Sequence, residues 1–322
     1  MDTPITINKE QARRFLLAHQ HLWPPRQLDG KGGVLKHIHH VGCIQFDPLN
    51  ITGRSPELVL QARVADFRPE MLDELLYQDR KLLDGWDKVM SIYSVEDWPY
   101  FHRRRQAARQ SERYHSVLPA LPQVRQEIKA RGPLSSIDLD MNETVDWSWA
   151  PTRLARAALE SMYYTGELII HHKVNTRKVY DFASRHIPAK LLDAPEPNQT
   201  EEHFHDWYVL RRIGGIGLIW SRSGDGWLGM PGIKSVQRLA ALKRLLARGQ
   251  VMEVNVDGLE APLYMRSQDQ AQLDEVLTTD APPPGASILA PLDNLIWDRR
   301  FIKELFGFEY LWEVYKPIVE RQ

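Results

Sequence analysis

Two polar side chains in Val41-Gly42-Cys43-Ile44-Gln45-Phe46-Asp47-Pro48-Leu49-Asn50 belong to the types that carry out hydrolysis, an amide at 45 and a carboxylate at 47. Apolar and polar residues alternate there, the period of an extended chain. That period sets Cys43, Gln45 and Asp47 on one side and Ile44 and Phe46 on the other. Gln45 and Asp47 then stand roughly 6–7 Å apart at about 3.3 Å per residue, a reach over which the pair can hold one water. The same residues also read as an edge strand entering a turn, with Asp47-Pro48 as turn chemistry. Spacing alone leaves both readings open.

Other reactive residue types lack the partners their chemistry needs. Histidines gather at His19, His21, His37, His39 and His40, and again at His203 and His205. The pair His37 and His39 falls in a predicted helix with no matching carboxylate spacing, so no metal is expected. Cys43 as a nucleophile would need a positioned base, and it reads instead as a packing residue. Gly214-Gly215-Ile216-Gly217 lacks the Lys and Ser/Thr of a phosphate loop and the strand–helix setting of a dinucleotide site. It reads as a bend between a helix and a strand, beside Trp207, Trp220 and Trp227 as core. No cofactor is expected.

The elements that position the triplet follow from periodicity. Lys9 to Leu22 reads as an amphipathic helix with Asn8 as N-cap. A glycine loop from Asp29 to Gly33 leads to a helix from Val34 to His40. Further helices are expected over Arg68–Lys81 and Trp98–Ser111, with a hairpin between them from Leu82–Trp86 and Val89–Tyr93. A weak repeat follows. One helix opens at Arg153-Leu154-Ala155 and ends near Gly166, then strand, turn and Val179-Tyr180. Another opens at Arg238-Leu239-Ala240 and ends at Gly249, then strand, turn and Leu263-Tyr264. Leu75 to Tyr93 is a looser copy. Helices followed by a two-stranded wing describe a winged helix.

The expected fold is therefore α+β, mainly α, with three tandem winged-helix domains. Their bounds are 1–118, which carries the triplet, 119–195 and 196–267, followed by a C-terminal segment over 268–322. Dense punctuation at Leu118–Pro122, Asp193–Asn198 and Asp280–Gly285 sets these limits.

Composition excludes several classes. The chain has 322 residues, 43% hydrophobic and 26% charged, as in an ordinary globular protein. A formal net charge of −1 means that any polyanion must be met by local patches. No apolar run reaches about 20 residues, so no membrane span is expected. Met1 to Thr6 lacks a signal-peptide layout, and one cysteine excludes a disulfide framework. The expected location is the cytoplasm. Local cationic clusters do occur, at Arg153, Arg156, Lys173, Arg177 and Lys178, and at Lys234, Arg238, Lys243, Arg244 and Arg248. They read either as solvated helix faces or as phosphate contacts.

Four segments together resemble the bacterial crosslink-repair DNA glycosylases of the YcaQ/AlkZ type. They are Gly42–Asn50, Asp84-Gly85-Trp86, the helix and wing around Gly166-Glu167-Leu168, and the late block Leu289-Ala290-Pro291-Leu292-Asp293-Asn294-Leu295-Ile296-Trp297-Asp298-Arg299-Arg300, continuing into Leu305–Tyr310. The family's catalytic motif is glutamine, an aliphatic or aromatic residue, then aspartate or glutamine; it maps onto Gln45, Phe46 and Asp47. The resemblance implies a C-shaped clamp of three winged helices. It also implies hydrolysis of the N-glycosidic bond of cationic N7-alkylpurines, including interstrand crosslinks, in base excision repair. Gln45 and Asp47 would be catalytic. Asn50 and Arg54 would touch sugar or phosphate, and Arg153, Arg177, Lys178, Arg238, Arg299 and Arg300 would contact DNA. Arg299 and Arg300 read alternatively as ion-pair anchors of the late segment. Relatives continue well beyond Glu313–Pro317, so the final β-rich subdomain is expected to be reduced or absent. The expected partner is double-stranded DNA carrying alkylated or crosslinked purines, met by a nucleoid-associated monomer with no lyase step. A non-catalytic winged-helix DNA-binding protein or transcription regulator is the alternative, although such a regulator is normally a symmetric dimer.

Overall fold

The computed structural model describes residues 5–50, 52–148, 150–280, 285–311, 313 and 316–320. In chain order the elements are β1 (Ile5–Ile7), α1 (Lys9–His19), α2 (Gly30–Val41), β2 (Cys43–Gln45), α3 (Ser55–Gln61), α4 (Pro69–Tyr77), β3 (Leu82–Trp86) and β4 (Met90–Ser94). There follow α5 (His102–Arg109), α6 (Glu112–Val117), α7 (Leu121–Arg131), β5 (Thr144–Val145), β6 (Thr152–Arg153), α8 (Leu154–Tyr164), β7 (Leu168–Val174), β8 (Arg177–Phe182) and α9 (Ala189–Leu192). The last are α10 (Glu201–Ile216), β9 (Ile219–Trp220), α11 (Ser235–Ala247), β10 (Val251–Val256), β11 (Leu263–Arg266), α12 (Gln270–Thr278) and α13 (Arg299–Phe306). The fold is mixed α+β, about half helical, with small sheets. No helix among the described residues is long and apolar enough to cross a membrane.

The chain divides into two compact units. The first takes residues 1–72, 85–92 and 198–322, and the second takes 73–84 and 93–197. In the first unit α10 runs through the core, burying Tyr208, Val209, Ile213 and Ile216. Phe15 and Leu16 of α1 and Val34 and Ile38 of α2 are also fully buried, each such side chain contributing about 1.5–3 kcal/mol on leaving water. Asn8 caps α1 as its sequence predicts, accepting from the Gln11 N–H at 2.9 Å. A four-stranded sheet, order β1-β10-β11-β9, closes the other side. The expected wing of two strands, β10 and β11, thus gains two neighbours. The three-residue β1, parallel to β10, and the two-residue β9 are too short to show a period.

Several expected bounds shift for identifiable reasons. The loop expected over Asp29–Gly33 is largely the first turn of α2. Asp66 Oδ1 accepts from the Gly30 N–H at 2.7 Å and satisfies an otherwise orphaned helix donor. Gly214 and Gly215 lie inside α10, and only Gly217, at φ +104, makes the bend. The helix expected over Trp98–Ser111 is a 3₁₀ stretch, Val95–Phe101, followed by α5. Ser111 then caps α6 by accepting from the Tyr114 N–H. Of the expected linker at Asp280–Gly285, residues 281–284 lie outside the described residues.

In the second unit α8 buries Ala155, Ala157, Ala158, Leu159 and Met162. The antiparallel pair β7–β8 follows it, with Leu168 opposite Phe182 and Lys173 opposite Lys178. This is the helix, glycine, hairpin plan that the repeat predicts. Asp84 is buried here. It accepts from the Tyr77 hydroxyl at 2.8 Å and pairs with the Lys173 ammonium.

Candidate active site

Gly42 ends α2 at φ +82, a conformation that favours glycine. A Cβ there would meet the Arg211 guanidinium at 3.2 Å, so the position also serves a close approach. The chain turns into β2, and hydrogen bonds at Gly42, Cys43 and Phe46 fix that strand. Arg211 Nη2 donates to the Gly42 carbonyl at 2.8 Å. Asn294 Nδ2 donates to the Cys43 carbonyl at 2.9 Å and to the Gly215 carbonyl at 3.1 Å. The Phe46 N–H donates to the Met90 carbonyl at 2.9 Å, setting β2 beside the hairpin's turn end. Arg211 Nε reaches Asp87 Oδ2 at 2.6 Å, which ties that turn to the same guanidinium.

Cys43 and Ile44 are both buried, so alternation does not describe exposure along β2 itself. Exposure begins at Gln45. That residue, Phe46 and Asp47 are each half-buried. Asp47 lies beyond the strand's end, and its Oδ1 accepts from the Leu49 N–H at 2.8 Å. This is an Asx turn, so the turn reading of Asp47-Pro48 is correct. It does not exclude the chemical reading, because the contact orients the carboxylate. Oδ2 makes no hydrogen bond among the described residues.

The supporting groups are electrostatically shaped. Burial, with Asp87 close by, pushes the Cys43 thiol up to about 12, which suits packing rather than attack. Burial alone would raise Asp87, but the Arg211 and Arg212 guanidiniums hold it below the usual carboxylate range. Burial and the nearby Arg212 bring Lys88, in the same turn, down to about 8. Its ammonium lies 5.4 Å from the centre of the Trp297 ring.

The other expected contacts separate by placement. Asn50 is exposed and bridges to Arg54, whose Nη1 lies 3.4 Å from Glu57. Arg299 is half-buried, 3.9 Å from Asp225, and Arg300 is exposed with its guanidinium over Trp220. Arg177 is exposed at the β7–β8 turn. Arg153 is half-buried and donates to Asn142 Oδ1 at 2.6 Å. Two expectations of an outward cation are corrected. Arg238 is buried, with Nη2 on the Ser221 carbonyl at 2.9 Å and its guanidinium over Trp227. Lys178 has its ammonium over Tyr163 at 5.6 Å, and burial lowers its pKa. In both, the long stem and charge complete an aromatic core.

Sequence reasoning missed Asp87, Arg211, Asp293 and Asn294. Asp293 makes a two-point ion pair with Arg63, each contact at 2.8 Å and neither side chain exposed. The signal available was the adjacent Asp293-Asn294 pair inside the apolar run Leu289–Trp297. The histidines do not converge on a metal geometry: no group of three His, Cys, Asp or Glu among the described residues is arranged to hold one. His19, His21 and His37 are instead buried and His40 half-buried. His19 Nε2 sits 2.7 Å from the Gly214 carbonyl, and His21 Nδ1 lies 3.1 Å from His37 Nδ1.

Comparison with known proteins bears on the fold and the family. The structure is similar to that of Streptomyces sahachiroi DNA glycosylase AlkZ, with a TM-score of 0.61 over 90% of this chain and 77% of that one. Identity is 13%, so the likeness shows the fold. Residues 38–321 match the model of the family described as DNA glycosylase AlkZ-like, a span that contains Gln45, Asp47 and the late block, and the chain belongs to the AlkZ-like DNA glycosylase family.

Proposed function

We propose that this protein is a monofunctional DNA glycosylase that hydrolyses the N-glycosidic bond of cationic N7-alkylpurines, interstrand crosslinks included, in base excision repair. The observation that carries the reading is the placement of Gln45 and Asp47, half-exposed at the end of a strand whose carbonyls are tied to α10 and the late block. An N7-alkylated purine bears a positive charge and leaves as a neutral base, so no acid is needed to protonate it. The protein must instead oppose the positive charge that develops on the sugar and deliver a water. Asp47 does both: its carboxylate faces the forming cation and takes the water's proton. Gln45 orients that water through its amide. The water oxygen forms the new bond to the anomeric carbon while the bond to the base nitrogen breaks, leaving an abasic site.

The active surface is an open cleft that meets the lesion from a groove of the duplex, because a base tethered to the opposite strand cannot swing freely into a closed pocket. Asn50, Arg54, Arg177, Arg299 and Arg300 meet sugar and phosphate. The helix-and-hairpin segments within 1–118, 119–195 and 196–267 act as winged helices, and the monomer works in the cytoplasm at the nucleoid. The test is release of 7-methylguanine from alkylated duplex DNA. Wild type releases it, and Asp47→Asn is slower by roughly 10²-fold or more, the scale of one lost transition-state electrostatic contact. Undiminished release by Asp47→Asn overturns the role of Asp47. No release by wild type from any alkylated or crosslinked duplex favours a regulator.

A further inference from the structure

We infer that Leu228 is an apolar wedge that enters the base stack of duplex DNA beside the lesion and opens it for Gln45 and Asp47. This deepens the glycosylase reading and rests on it.

Leu228 lies in the segment between β9 and α11, and 54% of it is exposed. The residues around it are anchored. Trp227 is buried and donates its indole N–H to the Trp220 carbonyl at 2.9 Å, with the Arg238 guanidinium 5.1 Å above its ring. Met230 and Ile233 are buried as well. Gly229, at φ +82, presses against the backbone of Lys88 so closely that a Cβ would lie 1.6 Å from the Lys88 carbonyl oxygen. The Tyr208 hydroxyl bridges the two segments, 3.2 Å from the Asp87 carbonyl and 3.3 Å from that of Gly229. The loop therefore holds a leucine in water on a backbone with little freedom.

Its position gives that arrangement a purpose. Asp87 and Lys88 form the hairpin turn that Arg211 ties to Gly42, and two residues on, Met90 accepts from Phe46 of the motif. The Leu228-Gly229 segment lies against the hairpin turn, and the hairpin's second strand lies beside β2, so two lateral spacings of about 5 Å each, roughly 10 Å in all, separate it from the motif strand. That is about three base steps at about 3.4 Å. Apolar side chains at such positions unstack a step and bend the duplex. A wedge exposes the sugar at a lesion without requiring the damaged base to leave the helix. A crosslinked purine needs that kind of access.

The experiment uses duplexes with one 7-methylguanine and 2-aminopurine placed one to four nucleotides away, with wild type, Leu228→Ala and Leu228→Met. Wild type should raise 2-aminopurine emission at least threefold at one position, and Leu228→Met should retain the rise. Leu228→Ala should lose most of it with melting temperature unchanged, since the side chain packs little. Base release by Leu228→Ala should fall tenfold or more on duplex DNA and less than twofold on single strands, where no stack needs opening. Equal loss on both substrates, or none on duplex, overturns the wedge, as does no emission rise with wild type. A Leu228-dependent rise without base release leaves the wedge standing and removes the glycosylase reading.

Discussion

Replacing Asp293 by alanine tests how the late block controls the motif strand. In the folded protein Arg63 is fully buried and makes two 2.8 Å contacts to Asp293. Its remaining donors reach the Gln20 carbonyl at 2.7 Å and the Val59 carbonyl at 2.8 Å. Asp293→Ala leaves the guanidinium with carbonyl partners but no counter-charge, which costs about 3–5 kcal/mol. Asp293 Oδ1 also accepts from the Leu295 N–H at 3.0 Å, and loss of that cap adds about 1 kcal/mol. The sum, about 4–6 kcal/mol, is a large part of a typical total stability of about 5–15 kcal/mol. At about 2–4 °C per kcal/mol for a body of this size, the melting temperature should fall by roughly 8–24 °C in scanning calorimetry. Arg63→Met combined with Asp293→Leu should recover most of the loss, because it removes both charges together. A fall under 3 °C for Asp293→Ala, or a double variant no better than the single one, would refute this account of the Arg63–Asp293 pair.

Three further outcomes follow from the same unit. Burial holds His19, His37 and His40 below their ordinary value of 6.5 and brings His21 to about 3. These rings are neutral in the fold, so their contribution is intact above pH 6.5 and declines as the unfolded chain takes up protons below it. For His21 the decline runs from about 6.5 to about 3. Urea midpoints between pH 7 and 5 should therefore fall, by up to about 1.4 kcal/mol per pH unit per histidine, and His37→Phe should lower the slope by about one proton. Gly229→Ala should lower the melting temperature by several degrees and slow base release, since its Cβ collides with Lys88 and strained backbone costs about 1–3 kcal/mol; a neutral effect would disprove the contact. The Cys43 thiol, pushed up to about 12, should resist iodoacetamide at pH 8 in the native protein and react once urea unfolds it.

What the sequence made legible was local. Periodicity located α1, the β3–β4 hairpin and the helix–hairpin plan of α8 with β7–β8, because each carries its signal within about a dozen residues. The triplet was visible as chemistry and as turn, and the Asp47 contact to Leu49 is a local one that spacing can anticipate. Contacts made across long sequence separations were not legible. Nothing near Cys43 announces that Asn294, some 250 positions later, will hold its carbonyl. Likewise β1 joins β10 through only three residues, too few for a period to register. Arg238 misled for a different reason. Helical spacing shows which residues share a face, but not whether an arginine on it is pulled inward by a carbonyl and an indole.

That inward use of arginine bears on how such a chain binds DNA. Guanidinium offers five donors in a fixed plane, so it can satisfy buried carbonyls and carboxylates as an ammonium cannot. Arg63, Arg212 and Arg238 are buried, Arg211 is engaged by Asp87 and Gly42, and Arg244 and Arg248 both pair with Asp206. The cationic cluster read on and beside α11 thereby keeps Lys234, Lys243 and the exposed, Asp206-paired Arg248 on its outward side, beside the exposed Val236 and Leu239. With a formal net charge of −1, the protein has no excess of cations to compensate. Phosphate neutralisation supplies most non-specific affinity in proteins that read DNA through charge. Under the proposed function α11 supplies little of that source, so apolar contact with an opened stack adds to the binding that Arg54, Arg177, Arg299 and Arg300 provide. Opening is easiest where a lesion has already weakened stacking or pairing, and a weakly cationic surface with a rigid leucine therefore favours damaged over intact duplex.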